Sequence, residues 1–288
     1  MRVIVLCCGT PAPAPLAHSS AQVHLVDAIP TRAQLRIVDD AAHDLLPVDP
    51  TPSLADIQAR PDVPHLGTPG PAPQAPYLPE PLRIIVHGSD AALSAVLTRL
   101  MRADALFAEV AFVPTQPHST AAATWGIDGT WAQALTGHVH PIPTIRTDKG
   151  QVVAGAAELT HAGDEQFLGE VIVDDATLLL RTEDSDSPGR PRYGTYGARI
   201  VPTIDAPGLA AAVINTAAQP PARRLWQPET PAHNVDAASL RTGRAVQCGG
   251  RDIMVTLDGV PAPRPVTRTT FYRHLRDTQA VRPAASDH

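Results

Sequence analysis

The sequence is poor in the residues that build disulfide frameworks, zinc sites and nucleic-acid surfaces. Three cysteines in 288 residues, with no CxxC pair, exclude a disulfide-stabilised scaffold and the usual zinc motifs. Lys149 is the only lysine and the formal net charge is −6, which excludes the basic face of nucleic-acid-binding domains. Cys7 and Cys8 end an apolar run and are either buried thiols at a strand end or a reactive pair.

Long hydrophobic runs are also absent. No stretch approaches the roughly 20 apolar residues that a membrane-spanning helix needs. The apolar start at residues 3–8 is shorter than the roughly 7 to 15 residues of a secretory signal core. We therefore expect a cytoplasmic protein that makes at most transient contact with a membrane surface.

Buried strands are predicted in the first half of the chain. Apolar runs at residues 2–6, 83–86 and 109–113 predict three of them, and residues 22–26 and 34–38 are weaker strand candidates. Strands alternate with helical patterns here, which predicts a parallel sheet with crossover helices on its faces.

Proline is concentrated between residues 48 and 81. Because proline fixes φ and removes a backbone donor, most of this segment is predicted to be extended loop rather than a packed element. Two interpretations stay open, a disordered insertion and a loop wrapped over the surface.

Short β-type runs follow one another after Pro141, separated by turn signals such as Asp258-Gly259. This texture predicts an antiparallel sandwich or barrel-like domain. We therefore predict two domains: a three-layer α/β, nucleotide-binding-like domain over residues 1–136, and a mostly antiparallel β-sandwich domain over residues 137–288 whose last residues return to the first domain. The predicted strands of the second domain include QVVAG, RAVQC and DIMVTLDG.

A polar turn, His87-Gly88-Ser89-Asp90, joins a buried strand to a helix. Either Ser89 or Asp90 is the predicted N-cap. The N–H groups of a helix start favour a bound anion, so the turn is either a nucleotide-binding turn or a plain connection within a sheet. The helix is predicted from four leucine and valine positions at i, i+3, i+4 and i+7 spacing: Leu93, Val96, Leu97 and Leu100.

Three segments carry a family resemblance. Residues 88–96 read GSDAALSAV, residues 114–127 read PTQPHSTAAATWGI and residues 257–261 read LDGVP. In order and spacing they resemble GGDGTLNEV, PLGTGNDFARALGI and LDGEP of the bacterial diacylglycerol kinase-like lipid kinases. That family is related in fold to NAD kinases and phosphofructokinases, and the resemblance extends over residues 83–275.

The resemblance implies ATP-dependent phosphorylation of a lipid hydroxyl, with Mg²⁺ as the metal. It implies that Asp258 is the general base and that Asp90 serves the nucleotide and the metal. The nucleotide-binding positions that it implies are Gly88, Ser89, Asp90, Ala91, Gln116, His118 and Ser119.

Several motif positions have lost the family's residues. Ser89 and Ala91 replace glycines, Pro117 removes a backbone donor, and Ala95 and Val260 replace acids. Phosphoryl transfer depends on positioning and on neutralising charge, and one preorganised donor can be worth about 3 kcal/mol. We therefore predict weakened or lost catalysis, as in a pseudokinase.

Each candidate also has a structural interpretation. Asp90 can serve as a helix N-cap, and Asp258-Gly259 is a common hairpin turn. His138 and His140 would share one face of a strand, either as part of a metal site or in a surface or interdomain loop. The segment Arg223-Arg224-Leu225-Trp226 either binds acidic headgroups or is a solvated basic pair beside a buried tryptophan.

The alternative function is a non-catalytic regulatory or interaction protein that uses the lipid-kinase fold as a scaffold. The Pro-rich segment 48–81 and the lost glycines favour it. An active kinase implies ATP, Mg²⁺ and a lipid as partners. A scaffold implies no cofactor and a protein partner, either a second copy of the chain or another protein, and neither function implies nucleic acid.

Overall fold

The computed structural model of the protein describes residues 1–12, 21–59, 67–163, 167–182, 195–215 and 234–284. In chain order the elements are β1 (Arg2–Cys8), β2 (Gln22–Val26), α1 (Arg36–Leu45), α2 (Leu54–Gln58), a 3₁₀ turn (Ala75–Tyr77), β3 (Leu82–Gly88), α3 (Asp90–Arg102), β4 (Glu109–Pro114), α4 (Thr120–Trp125), α5 (Trp131–Thr136), β5 (Ile145–Thr147), β6 (Ala157–His161), β7 (Gly169–Val173), β8 (Ala176–Arg181), β9 (Thr195–Pro202), β10 (Leu209–Asn215), β11 (Asn234–Gly243), β12 (Ala245–Leu257), β13 (Val260–Pro261), β14 (Val266–Arg273) and β15 (Gln279–Ala280).

A five-stranded parallel sheet forms in the order β15-β4-β3-β1-β2. Alternate residues along β1 face opposite sides, as the two-residue period of a strand requires. Ile4 and Leu6 pack with α1, α3 and α4 on one face, while Val5 and Cys7 pack with α5 on the other. Helices therefore cover both faces, and the predicted three-layer α/β arrangement is confirmed.

The strand predicted at residues 34–38 is wrong, because the chain turns there into α1, which begins at Arg36. Leu35, Val38 and Leu45 are buried in the core at helical spacing. A five-residue window is too short to separate a period of two from a period of 3.6. The adjacent Ala41 and Ala42 are small enough to pack closely on the sheet.

The Pro-rich segment contains more regular structure than its composition predicts, since α2 and the 3₁₀ turn both lie within it. Its described part is bonded to the end of the chain. The Gly70 N–H donates to the Asp277 carboxylate at 3.1 Å, and Arg273 donates to the Gly67 carbonyl at 2.7 Å. Residues 60–66 lie outside the described residues, as does the candidate segment 223–226.

A ten-stranded antiparallel sheet, built around the long strand β12, forms the second part of the molecule. Residues 246–250 of β12 pair with β7, and residues 253–257 pair with β6. The register shifts between Gly249 and Ile253. The strand bends at this point, so that its two halves enclose one apolar core.

Two expectations for this domain are corrected. RAVQC and DIMVTLDG are one bent strand, β12, rather than two. QVVAG is a loop in which Val152 makes an isolated bridge to Arg146, and the N–H groups of Val152, Ala154 and Gly155 donate to side chains of other elements. The mostly antiparallel architecture of this domain is confirmed.

Candidate functional site

The candidate site lies at the carboxyl ends of the parallel strands. The chain runs from β1 to β2 on one side and returns to β3 on the other, which makes the β1–β3 boundary a topological switch point. Open parallel sheets bind ligands at such crevices. The turns after β3 and β4 both end there.

The turn after β3 leads directly into α3. A β-carbon at Gly88 would lie 2.8 Å from the Cys8 β-carbon and 3.0 Å from that of Ala92, so the glycine permits close packing against β1. Ser89 is the N-cap of α3, and its hydroxyl accepts from the Ala92 N–H at 3.2 Å. Its φ of −87° is ordinary for a residue with a β-carbon, and Ala91 is buried behind it.

The Asp90 carboxylate is directed to the start of the neighbouring helix α4. It accepts from the Ser119 hydroxyl at 2.5 Å, from the Thr120 N–H at 2.9 Å and from the Ala121 N–H at 3.2 Å. Ser119 is itself the N-cap of α4 and accepts from the Ala122 N–H. A negative charge at a helix N-terminus is stabilising, so Asp90 joins α3 to α4 and brings two predicted site residues together.

The Asp258 carboxylate is directed to a loop in the middle of the chain. It accepts from the N–H groups of Ala154, Gly155 and Ala156 at 3.0, 2.6 and 2.9 Å. Asp258 and Gly259 form the two-residue turn between β12 and β13, with φ of 50° and 82°. Positive φ at both positions is the geometry of a type I′ hairpin.

Gly155 lies between the two aspartates. A β-carbon at this position would be 2.6 Å from Asp90 Oδ2 and 3.2 Å from Asp258 Oδ1, so the two carboxylates converge on one point. Gly155 is not among the site residues predicted from the sequence, because residues 151–155 are predicted to form a strand. The available signal was the small-residue run Ala154 to Ala157, which allows a close approach.

Asp258 has an altered proton affinity. Burial of its carboxyl group raises its pKa to about 6, and the neighbouring charge of Asp90 adds to this rise. The three N–H donors of the loop act in the opposite direction. A pKa near neutrality suits proton transfer, but three of the roughly four acceptor positions of a carboxylate are already filled.

The turn after β4 lies at the surface. Gln116, Pro117 and His118 are exposed, and the Thr115 N–H donates to the Gly88 carbonyl at 2.9 Å. Of the predicted residues in this turn, only Ser119 is buried and bonded to Asp90. The structure therefore brings Ser119 to Asp90 but leaves Gln116 and His118 facing solvent.

The described residues contain no cluster of metal-ligating side chains. Among them, no group of three or more His, Cys, Asp or Glu side chains could hold a metal ion. Mg²⁺ needs open oxygen ligands, whereas the oxygens of Asp90 and Asp258 already accept hydrogen bonds. The backbone groups of His138 and His140 flank the bridge that pairs Val139 with Val281.

A cavity of about 620 Å³ opens beside Ala91. It lies between α3 and the strands β12, β13 and β14 and so lines the junction of the two domains. Five basic residues line it: Arg32, Arg99, Arg102, Lys149 and Arg264. Ala95 and Val260 also line it.

Solved structures share the whole arrangement. A diacylglycerol kinase from Bacillus anthracis strain Sterne aligns over 99% of this chain and 98% of its own, with 11% identity and a TM-score of 0.57. A second structure from that strain, assigned as a diacylglycerol kinase, aligns over the same shares with 10% identity and a TM-score of 0.58. The chain has the diacylglycerol kinase fold.

Sequence comparison does not extend this result. No protein-family model matches the chain, and no curated protein matches it. An NAD kinase from Archaeoglobus fulgidus in complex with ATP aligns over 96% of the chain and 92% of its own, with 11% identity and a TM-score of 0.43, below the level that indicates a shared fold. The assignment of the diacylglycerol kinase fold therefore depends on the similarity of the three-dimensional structures.

Among the described residues, no helix has the length and apolar character needed to cross a membrane.

Proposed function

We propose that the protein is a diverged diacylglycerol kinase-like protein that binds a nucleotide in the cleft between its domains. Phosphoryl transfer from ATP to a lipid hydroxyl is weakened or lost. The observation that carries the proposal is the bonding of Asp90 and Asp258, each of which accepts three hydrogen bonds from the protein itself. The proposal includes a cytoplasmic location and a domain boundary near residue 136.

Two features support retained binding. The α3 N-terminus lies at the carboxyl edge of the parallel sheet, and the helix dipole favours an anion there. The cation-lined cavity begins at Ala91, in the first turn of the same helix. Both features favour the binding of the phosphate groups of a nucleotide.

Two features support weakened phosphoryl transfer. The general base that the resemblance implies, Asp258, has three N–H donors on its carboxylate, which stabilise it in place and compete with a substrate hydroxyl. Val260 stands where the lipid kinases have a glutamate and is 42% exposed, so no second carboxylate assists at this turn.

Nucleotide binding is the first test. Mg²⁺-ATP is titrated by calorimetry into the wild type, Asp90→Asn and the matched control Asp128→Asn, an exposed aspartate that accepts from the Thr130 N–H. We expect micromolar binding by the wild type and the control, and weaker binding by Asp90→Asn. No heat at millimolar nucleotide contradicts the proposal.

Phosphoryl transfer is the second test. Radiolabelled ATP, Mg²⁺ and vesicles containing diacylglycerol are incubated with the wild type and with Asp258→Asn. We expect little or no label in the lipid, and the same result for both proteins. Label that appears with the wild type and disappears with Asp258→Asn would mean a working kinase and would refute the loss of catalysis.

The non-catalytic scaffold is the second candidate. It is favoured by the observation that the retained aspartates join elements of the fold, Asp90 joining α3 to α4 and Asp258 joining the β12–β13 turn to the loop 154–156. A protein that binds no nucleotide and forms a stable dimer by light scattering, or captures a protein partner, supports this candidate.

A further inference from the structure

The cavity between α3 and the antiparallel domain has an unusual balance of charge. Arg99 is neutralised, because its guanidinium group forms three hydrogen bonds to the Asp39 carboxylate. Among the described residues, Arg102 donates to the neutral carbonyl oxygens of Gly150 and Lys149, at 3.0 and 3.2 Å. Its charge is therefore not compensated by these bonds.

The other basic side chains of the cavity add further positive charge. Arg32, Lys149 and Arg264 are exposed at its rim. Within the described part of the chain, these three residues and Arg102 form no ion pair. Among the described residues, four basic side chains without a direct ion-pair partner thus surround one cavity, in a chain whose formal net charge is −6.

Carboxylates are missing from the cavity wall. In the part of the chain that the structure describes, no aspartate or glutamate lines the cavity. Divalent metal ions of the Mg²⁺ type are held through carboxylate and other hard oxygen ligands. The positive charges of the wall repel a divalent metal ion. They attract a metal-free anionic ligand more strongly than the same ligand with a bound metal ion, because the metal neutralises part of the ligand's charge.

The remaining wall is mostly apolar, although five hydroxyl or amide side chains also line it: Ser94, Thr98, Thr147, Gln151 and Thr269. Leu35 and Val255 are buried beside the cavity, and Ile29, Leu257 and Val260 also line it. Small-molecule sites combine an apolar surface with a few placed polar groups. A volume of about 620 Å³ falls in the usual range of roughly 300 to 1,000 Å³ for ligand pockets.

We infer that this cavity binds an organic phosphate without a divalent metal, its phosphate groups at the basic rim and its apolar or aromatic portion against the inner wall. The inference rests on the proposed function in that it specifies the ligand chemistry of the same cleft. Nucleotides and lipid phosphates share this chemistry. The cavity binds the metal-free anion more tightly than the Mg²⁺ complex of that anion.

Calorimetry in EDTA separates the two sources of phosphate. The probes are ATP, a short-chain phosphatidic acid below its micelle concentration, and inorganic tripolyphosphate. We expect one of the two organic phosphates to bind without metal and more tightly than tripolyphosphate, which lacks an apolar part. Excess Mg²⁺ is expected to weaken ATP binding, and added salt to weaken binding of every probe.

Charge-reversal variants locate the binding. Lys149→Glu and Arg264→Glu lie on different segments of the rim, and we expect each to weaken binding about tenfold at low salt. The matched control is Arg241→Glu on the edge strand β11, which is expected to bind within about twofold of the wild type. Thermal melts monitored by circular dichroism check that all variants fold.

The outcomes distinguish this inference from the proposed function. Binding of Mg²⁺-ATP only, unaffected by Lys149→Glu and Arg264→Glu, keeps the nucleotide proposal and overturns the inference. Metal-free binding of the phosphatidic acid but not of ATP keeps the inference and overturns the nucleotide proposal. Absence of binding by all probes, or equal loss in Arg241→Glu, overturns the inference.

Discussion

At the scale of single residues, the absence of a side chain at position 155 is as important as the aspartates themselves. Asp90 approaches this position from α3 and Asp258 from the β12–β13 turn. Asp258 accepts from the N–H groups of residues 154–156, whereas Asp90 accepts from the N–H groups at the start of α4. A residue with no β-carbon is required here for space, since Gly155 does not have a positive φ.

Gly155→Ala tests this requirement. The added methyl group would lie 2.6 Å from Asp90 Oδ2 and 3.0 Å from the Ala121 backbone nitrogen, so the carboxylate or the start of α4 must shift. We expect a loss of about 1–3 kcal/mol in the free energy of unfolding, measured by urea denaturation. The control is Gly70→Ala, where a β-carbon meets nothing within 4 Å. Equal losses in both variants would show that the space at position 155 is not limiting.

The titration of Asp258 gives a second prediction at this scale. Its pKa is raised from 3.8 to about 6 in the folded protein, so the folded state binds the proton more tightly than the unfolded state. The resulting stabilisation is complete below pH 3.8 and is lost as the pH rises through about 6. It amounts to up to about 3 kcal/mol, because one pKa unit corresponds to 1.36 kcal/mol.

Urea unfolding of the wild type and Asp258→Asn between pH 4 and 7.5 measures this effect. We expect the free energy of unfolding of the wild type to fall relative to that of the variant as the pH rises from 4 to about 6.5. Titrating groups distant from Asp258 contribute equally to both proteins and cancel in the difference. A difference that stays constant across this range would contradict the raised pKa.

At the scale of elements, the apolar patterns within single segments were sufficient to predict one helix and three strands. The apolar stripe of α3 and the buried runs of β1, β3 and β4 identify these elements because each buries a continuous face. The bend in β12 was not predictable, since it depends on which partner strand each half meets. The partners of Asp90 and Asp258 were not predictable either, because loops distant in sequence donate their N–H groups.

Removal of the short strand β15 tests whether the neighbouring strand β4 depends on it. Strand β15 pairs with β4 in parallel, and Ala280 and Val281 are fully buried. A chain that ends after Arg276 lacks this strand and exposes the edge of β4. We expect amide hydrogen exchange to become faster in β4 while the amides of β9 and β10 change little. Unchanged protection in β4 would mean that β15 contributes nothing to the first sheet.

At the scale of the whole molecule, the aspartates at the motif positions, Asp90 and Asp258, connect separate elements of the fold through hydrogen bonds. Acidic substitutions at Ala95 and Val260 would not by themselves free the Asp258 carboxylate. Its donors come from the loop 154–156, which lies outside all three motifs.

The position of β15 also sets the order in which the protein can fold during translation. A ribosome makes β1 to β4 first, then the entire antiparallel domain, and only afterwards the strand that completes the parallel sheet. Domains that finish early can fold while the chain is still growing. Here the edge of β4 stays unpaired until the second domain has emerged, so the newly made chain presents an open sheet edge that a chaperone or a second nascent chain could occupy.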